Sequence, residues 1–525
     1  MNTRLHPGIV FVAIFVFIFL LHLPLLHLPY FWDEAGYYVP AARDLLLSGS
    51  LIPHTTVSNA HPPLVMAWLA LWWKVAGYAP FVTRSAMLVV AAFSLLGVFR
   101  LAERVANTEV AAAATLCTAL YPVFFAQSSL AQVDLAAAGL TFWGILAYLE
   151  DRPAAVAAWF SFAALAKETA MIVPAALIGL EGLRLVLRKR EIWLKIVNFQ
   201  DRGSPKRILA LFISLLPLAI WYAYHYAHTG YVFGNPEFFR YNVSSTLNPL
   251  RFLLALGLRL WQAFGYMHLW LLTVAMLLVM LLPPLCDGEA ERRRIAVPVQ
   301  IVFLVVIAAY IVVMALIGGA VLARYMLTAV PLVIILAIST LRRRLRSWRA
   351  VTAIFAAAFV VGWFWNPPYS FAPEDNLAYA DYVRLHEDAE RFLEARYPMA
   401  QVLTAWPASD ELARPWLGYV TRPVQVVRIE DFSLEQVLSA ADFRSHFGVA
   451  LVFSTKYEPA HPLIESPHAW IDLKRRYFGY HRDLPPEAAA GILGGKIVFS
   501  AQRKGQWAAV MELRDERILD AQSRP

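Results

Sequence analysis

The sequence predicts a mainly α membrane protein that crosses the bilayer many times and carries a C-terminal α/β domain outside it. Three observations predict this. Hydrophobic residues fill 59% of the 525 positions and charged residues 16%, with mean hydropathy +0.53, whereas a soluble domain carries about 25% charge. Apolar runs of roughly 18 or more residues, each long enough to cross an ~30 Å hydrocarbon core as a helix, recur through the first 365 positions. From Asn366 onward the chain is mixed in charge and alternates helix and strand signals.

Lipid offers no partners to backbone N–H and C=O groups, so the apolar runs must be helical. They fall at roughly 9–29, 84–101, 110–127, 135–150, 154–167, 170–187, 208–227, 259–283, 296–317, 322–340 and 349–365, about eleven transmembrane helices in all. The runs at 154–167 and 170–187 read either as two spans or as one bent hairpin interrupted at Lys167-Glu168-Thr169. Gly8 to Leu28 is long for a signal-peptide core and no small-x-small cleavage site follows, so it reads as an uncleaved first span. Many of the 17 Trp and 22 Tyr sit near span ends, where amphipathic rings favour the headgroup region. Of the two cysteines, Cys117 lies in a span and Cys286 in a short basic loop. The C-terminal part has none, so packing alone must hold it.

Net charge is +8. The cations lie in short loops between spans, which points to topology and not to a nucleic-acid partner. The basic loops Arg184 to Arg207, Arg292-Arg293-Arg294 and Arg342 to Arg349 share one side with Arg4. The positive-inside rule makes that side cytoplasmic. A bacterial inner-membrane protein with a cytoplasmic N-terminus and a periplasmic C-terminal domain is therefore expected. Residues 1–365 form the membrane domain, including a first outer loop at 30–83, and 366–525 the soluble domain. The loop carries two amphipathic stretches, AARDLLLSG and PPLVMAWLALWWKVAG, suited to lying in the interface. In the soluble domain Gln401–Thr404, Val424–Ile429 and Val449–Ser454 read as strands, and Ser409–Leu417 and Ser433–Leu438 as helices. That is a βαβ rhythm without a Gly-rich phosphate loop.

A few charged residues interrupt the apolar pattern. Asp33 and Glu34 follow Tyr30-Phe31-Trp32 at the outer end of the first span, with Tyr37 and Tyr38 just beyond. Paired carboxylates there read as a solvated span end, or as a general base with a neighbour that sets its charge or binds metal. His61-Pro62-Pro63 follows in the same loop. The prolines suit helix initiation, but a cation opposes the helix dipole, so His61 reads as neutral or paired with an anion. Arg84 and Arg324-Tyr325 open spans from the outside; each arginine snorkels, or together they clamp a phosphate. Asp134 starts the fourth span, as a helix cap or as the wall of a pocket. Lys167-Glu168 reads as an ion pair joining two half-spans. His225 and His228 close the seventh span, as interfacial rings or as metal ligands.

In order along the chain, WDEAGYY (32–38), HPPL (61–64), Arg84 in VTRSAMLVVAAFSLLGVFRLAERV, QVDLAAAGLTFWGILAYLE (132–150), LAKETAMIVPAAL (165–177) and ARYMLTAVPLVIILA (323–337) resemble the GT-C fold glycosyltransferases. The resemblance is to the group containing the protein O-mannosyltransferases and the bacterial lipid A aminoarabinose transferases, and it covers about the first 340 residues. It implies a polytopic GT-C helical bundle that moves a sugar, with inversion, from a polyprenyl-phosphate donor to a lipid, glycan or protein acceptor. Asp33 matches the family's catalytic acid residue and Glu34 its partner. Arg84 and Arg324 match positions that hold the lipid phosphate, and Asp134 an acidic position of the same cavity. His61 stands where many relatives carry lysine. Tyr38, Lys167 and Tyr325 join the candidate substrate-binding set, and Glu34 with His228 is a candidate ligand set for a divalent metal. Two other classes remain open at this point: a transporter or flippase of lipid-linked sugars, for which the chain lacks internal repeats, and a non-catalytic membrane scaffold.

Overall fold

The structure is a computed structural model that describes residues 6–187, 204–242, 246–459 and 468–513. Arg4 and most of the basic loop between Arg184 and Arg207 lie outside the described residues. The chain divides into two compact units: Met1–Leu26 with Ala41–Trp365, and His27–Pro40 with Asn366–Pro525.

The first unit is helical. Among the described residues, five helices are long and apolar enough to cross a membrane: Pro7–Leu25, Pro80–Val105, Glu168–Val186, Pro205–Thr229 and Val297–Leu316. A sixth candidate is the pair Pro249–Phe264 and Leu269–Val279, bent by 78°. The sequence pattern reads 259–283 as one straight span. The break falls where Met267 and His268 take φ values of 46° and 66°, a left-handed conformation that a right-handed helix cannot carry through. Shorter apolar helices are Leu64–Ala76, Thr108–Leu120, Asp134–Leu149, Pro153–Ala166 and Trp348–Phe364. Proline sits in the first turn of many of these helices, where its missing N–H costs nothing.

Two packing features position the polar residues of this unit. A Cβ on Gly139 would lie 1.9 Å from Ser94 Oγ, so the Asp134–Leu149 helix lies tight against Pro80–Val105 because glycine stands at the crossing. Between Pro153–Ala166 and Ile172–Leu187 the helix stops. Lys167 is extended there (φ −154°, ψ 136°) and a short 3₁₀ turn, Glu168–Met171, follows.

The second unit is α/β. Its five-stranded sheet runs in the order Gln425–Ile429, Gln401–Ala405, Val449–Phe453, Gln506–Leu513, Gly495–Arg503. The first three strands are parallel and the last two pair antiparallel. Every residue of Val449–Phe453 is buried, as befits a central strand covered on both faces. The helices Ala408–Ala413 and Leu434–Ala441 link the parallel strands, and Ser433 Oγ caps the second by accepting from Gln436 N–H. The longest described helix of this unit, Ala378–Arg396, packs on the antiparallel pair; the sequence pattern predicts neither it nor that pair.

The segment 27–40 packs with this second unit, through aromatic side chains. Phe31 lies against Tyr379 and Tyr382 at 5.9 and 5.3 Å. Trp32, itself at φ 44°, lies against Tyr382 and Trp406 at 5.7 and 5.0 Å. Tyr419 Oη donates to Tyr30 O at 2.9 Å. A Cβ on Gly36 would lie 2.5 Å from the Trp406 ring, so only glycine fits at that position.

Candidate functional site

The helical unit gathers cations around one tyrosine ring. Lys167 Nζ lies 4.2 Å from the Tyr325 centroid, Arg259 Cζ 5.3 Å and Arg324 Cζ 5.7 Å. Lys167, Arg259 and Arg324 are all buried. One carboxylate ties two of them together: Asp134 Oδ1 accepts from Lys167 Nζ at 2.5 Å, and Asp134 Oδ2 is 3.4 Å from Arg324 Nε. Arg324 Nη1 also donates to Gln132 Oε1 at 2.6 Å. Asp134 is the first residue of its helix, where a negative charge also suits the dipole.

Lys167 and Glu168 do not pair with one another. Lys167 is extended, so adjacent side chains leave the backbone on opposite sides. Lys167 turns to Asp134, and Glu168 Oε2 meets His61 Nδ1 at 3.1 Å. The ion-pair reading of Lys167-Glu168 is thereby corrected, and His61 is the member of its loop that is paired with an anion. That loop is held by Trp221 Nε1 donating to Ala60 O at 2.8 Å and by Ser58 Oγ with His225 Nε2 at 2.8 Å. Arg84 is fully buried and donates to Ser129 O at 3.0 Å, in the turn that also holds Gln132. Neither Arg84 nor Arg324 snorkels.

Sequence reasoning missed Arg251, Arg259 and Gln262. With Ala255 they form the buried face of the helix Pro249–Phe264, at spacings that return to one side every turn. Arg259 donates to Met314 O at 3.1 Å, Leu322 O at 2.7 Å and Gln262 Oε1 at 2.8 Å. Arg251 Nη2 donates to Gly318 O at 2.7 Å, and Gln262 Nε2 to Val321 O at 2.7 Å. These donors fasten the segment before Arg324-Tyr325. The signal was available: polar side chains at 251, 259 and 262 within an apolar helix face the bundle interior by default.

In the second unit Asp33 and Glu34 take different places. Glu34 is fully buried and its Oε2 accepts the Phe31 N–H at 2.8 Å. The Glu34 N–H in turn donates to Phe31 O at 2.8 Å, so this side chain locks the turn. Asp33 precedes the single π-helical turn Glu34–Tyr38 and is only half-buried. Tyr38 is buried, its ring edge-on to Tyr37 at 5.4 Å. His228 is exposed, and its Nδ1 pairs with Tyr224 O at 2.8 Å. His225 uses both ring nitrogens, on Ser58 and on Tyr231 O.

The crystal structure of ArnT from Cupriavidus metallidurans bound to undecaprenyl phosphate matches 96% of this chain and 97% of its own, with TM-score 0.55 and 14% identity. The same protein in the apo state matches over the same shares with TM-score 0.54 and 14% identity. The apo oligosaccharyltransferase of Archaeoglobus fulgidus matches 86% of this chain and 70% of its own, with TM-score 0.45 and 11% identity. No family model matches the chain, and no curated protein matches its sequence. This chain has the fold of ArnT. The GT-C architecture expected from the sequence resemblance is thus the one found, and it extends beyond residue 340 into the C-terminal unit.

Proposed function

We propose that the chain is a membrane glycosyltransferase that takes a sugar from a polyprenyl-phosphate carrier and transfers it, with inversion, to an acceptor at the periplasmic face of the inner membrane. The observation that carries this reading is the convergence of three buried cations on Tyr325. Lys167, Arg259 and Arg324 converge there, and Asp134 is the carboxylate that pairs with two of them. Buried charge is costly unless it is compensated, and an anion is the natural complement to this set. A lipid-linked phosphate supplies that anion, together with an apolar tail suited to the surrounding helices. The likeness to ArnT, whose structure holds undecaprenyl phosphate, supports the same class of donor.

The chemistry follows from the groups. The leaving group is a phosphate that departs already as an anion, so positive charge at its oxygens lowers the barrier and no strong general acid is required. Asp33 is the base of this proposal. Its carboxylate takes the proton of the acceptor hydroxyl or phosphate as the acceptor oxygen bonds to the anomeric carbon. The bond from that carbon to the carrier phosphate breaks, and its electron pair leaves with the polyprenyl phosphate. Asp33 suits this role better than Glu34, because Glu34 is buried and committed to the Phe31 N–H. His61, held by Glu168, and Arg84 complete the donor-binding set.

Incubation with a panel of polyprenyl-phosphate sugars, followed by mass spectrometry of lipid and protein fractions, tests the activity. Transfer from at least one donor is expected, and Arg324→Ala is expected to weaken donor affinity. A variant with native donor affinity would remove the phosphate role from this cluster.

A further inference from the structure

We propose that the C-terminal unit binds a divalent metal ion, of which zinc is the best fit, between His386, Glu390 and Glu411. His386 and Glu390 sit on the helix Ala378–Arg396 at i and i+4, the spacing that puts two side chains on one face. Glu411 comes from the separate helix Ala408–Ala413. All three are buried, at 2%, 0% and 0% exposure. Their candidate donor atoms lie within 4.8 Å of one another. His386 Nδ1 is 2.6 Å from Glu411 Oε2 and 3.6 Å from Glu390 Oε1. Zinc holds N and O donors at about 2.0–2.2 Å, hence about 3.4 Å apart in a tetrahedral set, so closure needs side-chain shifts on the order of 1 Å.

A second observation points to a ligand here. His386 Nε2, both oxygens of Glu390 and Glu411 Oε1 are buried without a hydrogen-bond partner. Tyr382, whose ring stacks on His386 at 4.0 Å, has an unpartnered buried hydroxyl as well. Among the described residues the ion pairs of Glu390 and Glu411 are with His386 alone, and no lysine or arginine reaches them. Burial, and then the facing Glu411 carboxylate, hold Glu390 well above the usual carboxylate range. A proton shared by the pair would ease the repulsion but leave most of the unpartnered atoms as they are. A divalent ion takes three donors at once and neutralises both carboxylates. One imidazole with two carboxylates suits zinc, with manganese a weaker competitor.

The location gives the ion a purpose. Tyr382 contacts His386 on one side and Phe31 and Trp32 on the other. The site therefore lies directly behind the aromatic wall that fixes the Asp33-Glu34 turn, and an ion there stiffens that turn. This inference does not depend on the proposed transfer reaction.

The test uses the untagged full chain in detergent, stripped with a chelator, given Zn(II) and desalted, with zinc counted by mass spectrometry. One zinc per chain is expected, together with a zinc-dependent rise in Tm. Glu390→Gln and His386→Gln are expected to hold at least tenfold less zinc, using about 10–100-fold for loss of even an outer-shell partner as a floor, and to lose the rise in Tm. Native zinc content in both variants would place the metal elsewhere and overturn the proposal. Should the variants not fold, the native chain alone decides: no retained zinc and no shift in Tm overturns it equally.

Discussion

The two units bury charge in opposite ways. In the helical unit Lys167, Arg259 and Arg324 surround Tyr325, and Asp134 pairs with two of them. In the C-terminal unit Glu390 and Glu411 share a single imidazole, and the one base candidate, Asp33, also belongs there. A buried cluster of one sign is costly without its complement. The first cluster therefore asks for an anion and the second for a cation. The lesson is that the sign of the charge a buried cluster gathers points to a ligand class even where no ligand is visible.

On the proposed function Arg324 and Lys167 bind the donor and Asp33 moves the proton, and variants can separate the two roles. Asp33→Asn should lower turnover by about 10²–10⁴-fold, the usual worth of a general base, with donor binding unchanged; native turnover in steady-state assays would end its assignment as base. Asp134→Asn should strand Lys167 and Arg324 and destabilise the chain by about 3–5 kcal/mol, the cost of breaking a buried pair. Adding Lys167→Met to it should recover part of that loss in thermal unfolding, because the two side chains are directly coupled; strict additivity would show that the pair is not a unit.

Smaller effects sharpen the same contrast. Gly36→Ala forces a methyl against Trp406 and should destabilise by about 1–3 kcal/mol, as overpacking does. The loss should appear in protease resistance of the C-terminal unit, with cleavage elsewhere unchanged. His228→Ala should change stability by less than about 0.5 kcal/mol, as at other exposed positions, and should leave transfer activity at its native level. Loss of activity on that change would instead favour a metal role for His228 with Glu34.

Much of the fold was legible in the sequence. Helix positions follow from the apolar runs, because lipid forces every such run into a helix; of the about eleven spans expected, five helices and one bent pair among the described residues are long and apolar enough to cross a membrane. The strands at 401–405, 425–429 and 449–453 follow from β-branched runs separated by helices; the expected capped helix Ser409–Leu417 is instead the short helix Ala408–Ala413, without a side-chain cap, and a 3₁₀ turn at Pro415–Leu417. The break at Met267-His268 was not legible, since no proline marks it and the residues on either side are apolar. For Arg259 the inward direction was legible but its partner was not: the structure makes it the anchor of Leu322, 63 residues away.

The sequence by itself determined that the chain is built around membrane-length helices, that an α/β unit follows, and which few charged residues stand out against the apolar background. Composition and periodicity suffice there, because burial of apolar surface acts residue by residue. Only the tertiary structure decided the partners. Lys167 pairs with Asp134 and not with its neighbour Glu168, because an extended backbone sends adjacent side chains apart. Glu34 is buried and locks a turn while Asp33 beside it is half-buried. His386, Glu390 and Glu411 meet because two helices distant in sequence pack together. Pairings of this kind depend on long-range geometry, which a linear pattern does not carry.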